Sequence, residues 1–367
     1  MAELPATFGE ALAAARGRIP ASEARMFLRE VTGCSAAQVA AYPERALDAG
    51  QAARYIELLH RRAAGEPVAY LLGEREFYGR SFRVSPAVLI PRPETELIVD
   101  LVKARVSPGA APAVLDLGTG SGALAITLAL ELPAARVTAV DLSPAALEVA
   151  RGNAAALGAR VRFVESDWFA ALGAGRFDII VSNPPYIVDD DPHLAEGDVR
   201  FEPRSALAAG PAGLDDLARI AAAAPGFLAP DGWLLMEHGY DQAEAVRALL
   251  GAAGFVEVES ARDLAGIERV TLGFTLKGPG ERTLDRSGSG IERLRQVLFD
   301  LGLRFECTER RNSQRELEHA SFRIPDEITV RVVWRADFER QQVVMESRNL
   351  ERLGFATCTL LPESIGP

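Results

Sequence analysis

From Ala113 onward the chain alternates short β-rich apolar runs with helical stretches, and this alternation constrains the fold more than any other feature. The runs are "AVLDLG", "RVTAVDLS", "VRFVES", "FDIIVSNPP" and "GWLLMEHG". Among them fall "GALAITLALEL", "PAALEVARGNAAALG", "GLDDLARIAAAAPGFL" and "DQAEAVRALLGAAG", whose apolar residues recur at helical spacing. Strands separated by helices imply βαβ crossovers and a mostly parallel sheet covered on both faces. The last runs, "FVEVES" and "RVTLGFTL", have only a short turn between them and are expected to pair antiparallel at one edge. The expected fold is α/β, a doubly wound sheet whose ligands sit at the carboxyl ends of its strands.

The flanks read differently. Residues 1–84 are expected to be helical: "TFGEALAAARGRI", "ASEARMFLREVTG" and "DAGQAARYIELLHRRAAG" each repeat apolar residues at three- and four-residue spacing, with Ser22 as an N-cap and Gly33 as a C-cap of the second. Residues 85–112 are expected to form a hairpin and linker that connect this region to the sheet of 113–277. After Lys277, "GPGERTLDRSGSG" is a Gly- and Ser-rich linker over 278–290. Beyond it, 291–367 reads as a small α+β module. Its expected order is helix "IERLRQVLFDLGL", strand "EITVRVVWRA", helix "FERQQVVMESRNLERLG" and strand "FATCTLL". A chain of 367 residues accommodates such a division.

Composition narrows the function classes. With 48% hydrophobic and 25% charged residues, the chain has ordinary globular material for a core. It shows no basic-then-apolar leader and no apolar stretch long enough to span a bilayer. Cys34, Cys307 and Cys358, and likewise His60, His193, His238 and His319, are too scattered for a disulfide framework or a metal site. A cytoplasmic protein without metal or membrane partner is expected. Net charge is −11, and residues 86–277 hold 15 basic against 26 acidic residues. An acidic body repels a phosphate backbone, so no direct nucleic-acid partner is expected.

"VLDLGTGSGALAITLAL" places Asp116, Gly118, Gly120 and Gly122 in a strand-to-helix turn. Glycine permits positive φ and a ligand approach that a Cβ would block, although a tight turn alone also explains it. The spacing G-x-G-x-G differs from the G-x-G-x-x-G of dinucleotide sites, and no Lys follows as in a P-loop. Asp141 ends the next strand, where a carboxylate can accept both ribose hydroxyls. Gly-rich turn, strand-end acid and missing phosphate ligand together favour S-adenosylmethionine. "ESDWF" adds Asp167, a candidate acceptor for the adenine amine, and Trp168, either a stacking surface or plain core.

"SNPPY" carries the chemistry. The strand "FDIIVS" delivers Asn183 to the sheet's carboxyl edge, and Pro184 and Pro185 stiffen the backbone beyond it. A planar amide or amine nitrogen is a poor nucleophile because its lone pair is delocalised. The Asn183 side-chain oxygen and the Pro184 carbonyl can each accept one of its N–H bonds, aiming the lone pair at a methyl group and stabilising the developing positive charge. Tyr186 can stack on the flat substrate.

In this setting "NPPY" resembles the amino-methyltransferases: N6-adenine DNA enzymes, guanine-N2 ribosomal RNA enzymes and glutamine-N5 protein enzymes. "GEPVAYLLGEREFYGRSFRVSPAVLIPRPETELIVD" (residues 65–100), with "DLGTGSG", "SDWF", "SNPPYI" and "FEPRSALAAGPAGLD", resembles the release-factor glutamine methyltransferases of the PrmC/HemK type over about residues 5–277. The resemblance implies N5-methylation of the glutamine in the Gly-Gly-Gln motif of class-1 peptide-chain release factors, with S-adenosylhomocysteine as product. It also implies an N-terminal helical substrate-recognition domain, a β-hairpin link and a seven-stranded Rossmann-like methyltransferase domain. Cofactor contacts fall on Gly118, Thr119, Gly120, Ser121, Gly122, Asp141, Trp168 and Asn183; substrate contacts fall on Asn183, Pro184, Pro185 and Tyr186, with Asn183, Pro184 and Tyr186 catalytic. Arg92, Glu94 and Glu96 of "LIPRPETE" either line the cleft or pair at a domain junction, and Glu202 and Arg204 of "FEPRSAL" support the substrate loop. Competing readings are a glutamine methyltransferase acting on a ribosomal protein, a nucleic-acid amino-methyltransferase that must flip a base, and a cofactor-binding protein working through its C-terminal module. Residues 278–367 match nothing in the family.

Overall fold

The structure is a computed structural model that describes residues 4–173 and 175–275, and strands at 306–311, 317–324, 328–333 and 342–347. It forms two compact units, Met1–Thr275 and Leu276–Pro367.

The first unit opens with five helices: α1 (Phe8–Ala15), α2 (Ala21–Thr32), α3 (Ala36–Ala41), α4 (Ala49–Ala63) and α5 (Val68–Leu72). Their apolar stripes meet in one core built on Phe8, Phe27, Leu28, Tyr55, Leu58 and Leu59. Full burial of each such side chain stabilises the bundle by roughly 1.5–3 kcal/mol. Gly33 closes α2 in the left-handed region, φ 66°, as its position after the last apolar residue predicts. Ser22 is not the N-cap. The helix begins at Ala21, two residues before a Ser22 cap would start it: Pro20 stands at the N-cap position in extended backbone without a side-chain bond, and Ala21, a strong helix former, joins the helix ahead of Ser22.

The all-helical region ends at Leu72, ahead of the expected boundary at 84. A two-stranded hairpin comes next, β1 (Glu74–Phe77) and β2 (Arg80–Arg83), paired antiparallel. Its turn residues Tyr78 and Gly79 both have positive φ, the backbone of a two-residue hairpin turn. The hairpin therefore precedes residues 85–112, which instead carry a 3-10 turn, Pro93–Thr95, and helix α6 (Glu96–Arg105).

The sheet comprises β3 (Ala113–Leu117), β4 (Arg136–Asp141), β5 (Val161–Glu165), β6 (Phe177–Ser182), β7 (Leu228–Glu237), β8 (Phe255–Arg262) and β9 (Glu268–Thr275). Their order is β5-β4-β3-β6-β7-β9-β8. The first five pair in parallel, and β9 runs antiparallel to both β7 and β8. The helices are α7 (Ala123–Glu131), α8 (Pro144–Leu157), α9 (Asp215–Ala223) and α10 (Ala243–Ala252). Alternate residues of a strand face opposite ways. Val114, Ile179 and Val181 accordingly join α6 and α7 in one core, while Leu115, Leu117 and Ile180 join α9 and α10 in the other. Both faces are buried, which is why these strands read as continuous apolar runs.

The second unit shows a four-stranded antiparallel sheet, β10 (Glu306–Arg311), β11 (Leu317–Ile324), β12 (Ile328–Val333) and β13 (Gln342–Ser347). Strand β12 lies within "EITVRVVWRA", as expected. β13 overturns the helix expected over "FERQQVVMESRNLERLG": the β-branched pair Val343–Val344 favours extended backbone, and β13 pairs with β12 from Ile328↔Ser347 to Val333↔Gln342. The expected linker 278–290, helix 291–303 and strand 355–361 lie outside the described residues.

Candidate active site

The turn after β3 meets its neighbours through backbone groups. Gly118, Gly120 and Gly122 all have φ between 55° and 81°. The Gly118 and Thr119 amides both donate to the Val140 carbonyl (2.9 Å), pinning the turn to the end of β4. Beneath it Asp116 is buried and accepts from Thr119 Oγ1 at 2.7 Å; burial pushes its carboxyl up to about 7. Ser121 is buried, and its carbonyl accepts from Asn153 Nδ2 (2.8 Å). Asn153 also exchanges two hydrogen bonds with the Arg83 backbone, so one amide side chain joins α8, the hairpin and the turn.

Asp141 sits where the sequence predicts, half-buried at the end of β4. Its Oδ2 accepts from the Gly120 amide and its Oδ1 from the Ser143 amide, both at 2.9 Å. Burial raises its pKa above the ordinary carboxylate value, and the two amides pull it back. Each oxygen keeps lone pairs for further donors. Trp168, in the left-handed region at φ 48°, lays its six-membered ring against Gly118, where a Cβ would stand 3.3 Å from Cζ3. Its indole nitrogen donates to Asp216 (3.1 Å), which fixes the ring plane. Turn, Asp141 and Trp168 are thus brought together. Asp167 is not part of the group: its carboxylate pairs with Arg219 at 2.9 Å on the exposed surface.

Asn183 follows β6, and its Nδ2 donates to Thr95 Oγ1 (3.0 Å). Thr95 in turn donates to Glu237 Oε2 (2.6 Å), and the Tyr186 hydroxyl donates to Glu237 Oε1 (3.3 Å). Glu237 is fully buried at the end of β7, and desolvation pushes its carboxyl up to about 7. The Tyr186 backbone is held at both ends, its amide by Leu207 O (3.2 Å) and its carbonyl by Gln242 Nε2 (3.0 Å). Pro184 and Pro185 are buried, and among the described residues no amide donates to the Pro184 carbonyl.

The "LIPRPETE" loop closes the site. A pocket lined by Leu89, Pro91, Thr95, Gly118, Gly120 and Asn183 joins this loop to the turn and to the strand end. Glu202, its side chain wholly buried, accepts from the Ile90 amide (2.9 Å) and from the Arg92 guanidinium, so it clamps the loop from behind. Glu96 accepts from the Tyr78 amide (2.8 Å) and belongs to the hairpin junction. Arg204 donates to Asp189 O (2.7 Å) on the exposed side of the segment after Tyr186. A larger hollow opens where Arg136, Val161 and Phe177 begin or flank their strands; it lies at the opposite end of the sheet from every motif residue. No group of three or more His, Cys, Asp or Glu side chains among the described residues is placed to hold a metal.

Sequence reasoning missed Thr95, Asn153 and Glu237. Thr95 stands inside the quoted loop, where its charged neighbours give the stronger signal. Glu237 left a usable signal: a lone carboxyl ending an apolar strand at the edge where ligands bind.

Residues 93–197 match the family model of the Methyltransferase small domain, and residues 3–73 match that of the PrmC N-terminal domain. The release factor glutamine methyltransferase of Bordetella pertussis is 56% identical over 257 residues, covering 70% of this chain and 95% of that protein. That of Burkholderia pseudomallei is 54% identical over 276 residues, covering 73% and 96%. A solved structure of a protein-(glutamine-N5) methyltransferase (release factor-specific) from Alicyclobacillus acidocaldarius is 32% identical, covers 53% of this chain and 100% of that one, and superposes with a TM-score of 0.33.

Proposed function

This chain belongs to the family of release factor glutamine methyltransferases, and from that premise we propose that it methylates the side-chain nitrogen of the glutamine in the Gly-Gly-Gln motif of class-1 peptide-chain release factors. The observation that carries the reading is the hydrogen bond from Asn183 Nδ2 to Thr95, which leaves Asn183 Oδ1 as the acceptor for substrate.

The residues fit S-adenosylmethionine. A Cβ on Gly120 would meet nothing within 4 Å among the described residues, so the turn leaves room for a ligand. Asp141 is held by two amides with acceptor capacity to spare for ribose hydroxyls, and Trp168 offers a fixed flat face beside Gly118. When bound, S-adenosylmethionine supplies an electrophilic methyl on a positively charged sulfur and leaves as S-adenosylhomocysteine. Thr119 and Ser121 line the pocket with Asn183, and Gly122, where a Cβ would meet Ile126 and Ala150, closes the turn against α7 and α8.

The chain's own residues do the rest by orientation. Asn183 Oδ1 and the Pro184 carbonyl accept the two N–H bonds of the glutamine amide and turn its nitrogen toward the turn. Both acceptors stabilise the positive charge that grows on that nitrogen as the new N–C bond forms. The proton becomes acidic after attack, so no strong base is needed beforehand. Pro185 fixes the backbone direction, and Tyr186, anchored through its hydroxyl, packs on the flat amide. Holding nucleophile and methyl in line in a water-poor site supplies most of the acceleration. Helices α1–α5 offer the protein partner its docking surface.

The test is direct. Purified chain is incubated with methyl-labelled cofactor and, in parallel, release factor, total ribosomal protein, ribosomal RNA and DNA. Label on release factor alone supports the reading. Label on ribosomal protein or nucleic acid with none on release factor overturns it.

A further inference from the structure

Strands β6 and β7 are parallel neighbours with Ser182 opposite Met236, so the next residues, Asn183 just past β6 and Glu237 at the end of β7, stand side by side. Thr95 comes to the same spot from the "LIPRPETE" loop and bridges them. We infer that Thr95 and Glu237 are positioning residues that set which end of the Asn183 amide faces the substrate. The inference rests on the proposed role of Asn183 as acceptor.

An asparagine amide has nearly the same shape in both orientations, so its hydrogen-bond partner decides which end points where. A threonine hydroxyl has one proton to give. An ionised carboxylate only accepts, so Glu237 takes that proton and Thr95 can only accept from Asn183. The amide nitrogen is thereby drawn to Thr95 and the oxygen is left for the substrate. Reversed, the chain would present an NH2 group to the substrate's own N–H donors. Thr95 is 6% exposed and Glu237 is 1% exposed, so little water competes for these bonds. Tyr186 donates to the second oxygen of the same carboxylate, which ties the substrate-facing ring into the arrangement.

Several groups face Glu237. Glu94 in the loop disfavours its charge, while Thr95, Tyr186 and Arg269 on β9 favour it, against burial as the largest effect. The carboxyl titrates at about 7, so the arrangement that orients Asn183 gains population as pH rises through neutrality. A glutamine at 237 keeps an acceptor for Thr95 and does not titrate.

The experiment measures kcat and KM on release factor from pH 6 to 8.5, with S-adenosylhomocysteine affinity alongside, for the wild type and for Thr95→Val, Thr95→Ser and Glu237→Gln. Thr95→Val is expected to lower kcat by roughly 10–100-fold, the scale of a misoriented reacting group, with a far smaller change in S-adenosylhomocysteine affinity. Thr95→Ser, which keeps the hydroxyl, restores most of that loss. The wild-type kcat is expected to rise through neutral pH, and Glu237→Gln to lose that acid limb. A Thr95→Val protein with wild-type kcat, or a Thr95→Ser protein as impaired as Thr95→Val, overturns the inference. Should Thr95→Val fail to fold, an acid limb persisting in Glu237→Gln overturns it instead. A wild-type chain inactive on release factor sinks the functional reading, whereas an active wild type with indifferent variants sinks only this inference.

Discussion

Among the described residues, two carboxylates of the methyltransferase sheet, Asp116 and Glu237, are buried without a cationic partner in direct contact, and they give the fold a pH signature. Both have pKa values raised to about 7 by desolvation, from ordinary values of 3.8 and 4.5. The fold thus retains protons that the unfolded chain releases. The stability each contributes is complete below its unfolded value and is lost as pH rises through about 7. Glu131 and Asp263, lowered by their hydrogen bonds, act oppositely, but their gain is complete by the ordinary carboxylate range; His238, whose pKa burial lowers, also acts oppositely and within the window, one imidazole against two carboxyls. Between pH 5 and 7.5 the cofactor-free protein is therefore expected to lose stability, on the order of 2–4 kcal/mol per raised group. Denaturant titrations at several pH values check this: Asp116→Asn should flatten the slope, and a wild-type stability that rises across that window contradicts the account. At the same scale, Asp141→Ala should weaken S-adenosylhomocysteine binding by about 1–3 kcal/mol, the cost of losing charged hydrogen bonds. Calorimetry giving equal affinities removes Asp141 from the site.

At the scale of elements, the "LIPRPETE" loop is held from two sides, by Glu202 behind and by Thr95 at the strand ends. Glu202→Ala leaves the Ile90 amide and the Arg92 guanidinium without their buried acceptor, and the unfolding free energy should fall by about 3–5 kcal/mol. Chemical denaturation measures it; a loss under 1 kcal/mol means the clamp is dispensable. These contacts also show what is legible in the sequence. The parallel sheet is legible because each strand is an apolar run with its own turn, and the residues at strand ends, Asp141 and Asn183, are legible because their positions follow from the runs. Thr95 is not, since a hydroxyl in a loop acquires its role only from Glu237, 142 residues on. Asn153 is hidden for the same reason, a helix residue whose partners are backbone groups of the hairpin and the turn. β13 departs from expectation because Val343, Val344, Leu350 and Leu353 match a helical stripe, while pairing with β12 and the β-branched pair decide otherwise. The hairpin comes earlier than expected because its Tyr78–Gly79 turn lies inside 1–84, where helical spacing dominates the pattern.

At the scale of the molecule, every residue given a role in binding or chemistry lies in Met1–Thr275, one of the two compact units. A chain ending after Lys277 is therefore expected to bind S-adenosylhomocysteine with unchanged affinity and to methylate release factor at the full rate. Loss of binding in a truncated chain that keeps its circular dichroism spectrum would place part of the site in Leu276–Pro367. The acidity of residues 86–277 bears on the partner as well, since a site in so acidic a body favours a protein substrate over a phosphate backbone. That Asn183 orients a glutamine amide for methyl transfer is tested most directly by peptide mapping, by tandem mass spectrometry, of release factor reacted with the wild type and with Asn183→Ala. The account predicts one methyl group on the side-chain nitrogen of the Gly-Gly-Gln glutamine, formed roughly 10²–10³-fold more slowly by the variant, while S-adenosylhomocysteine binding, measured separately, keeps the variant's fold in view. A methyl group on any other residue, or an Asn183→Ala protein that labels this glutamine at the wild-type rate, would contradict it.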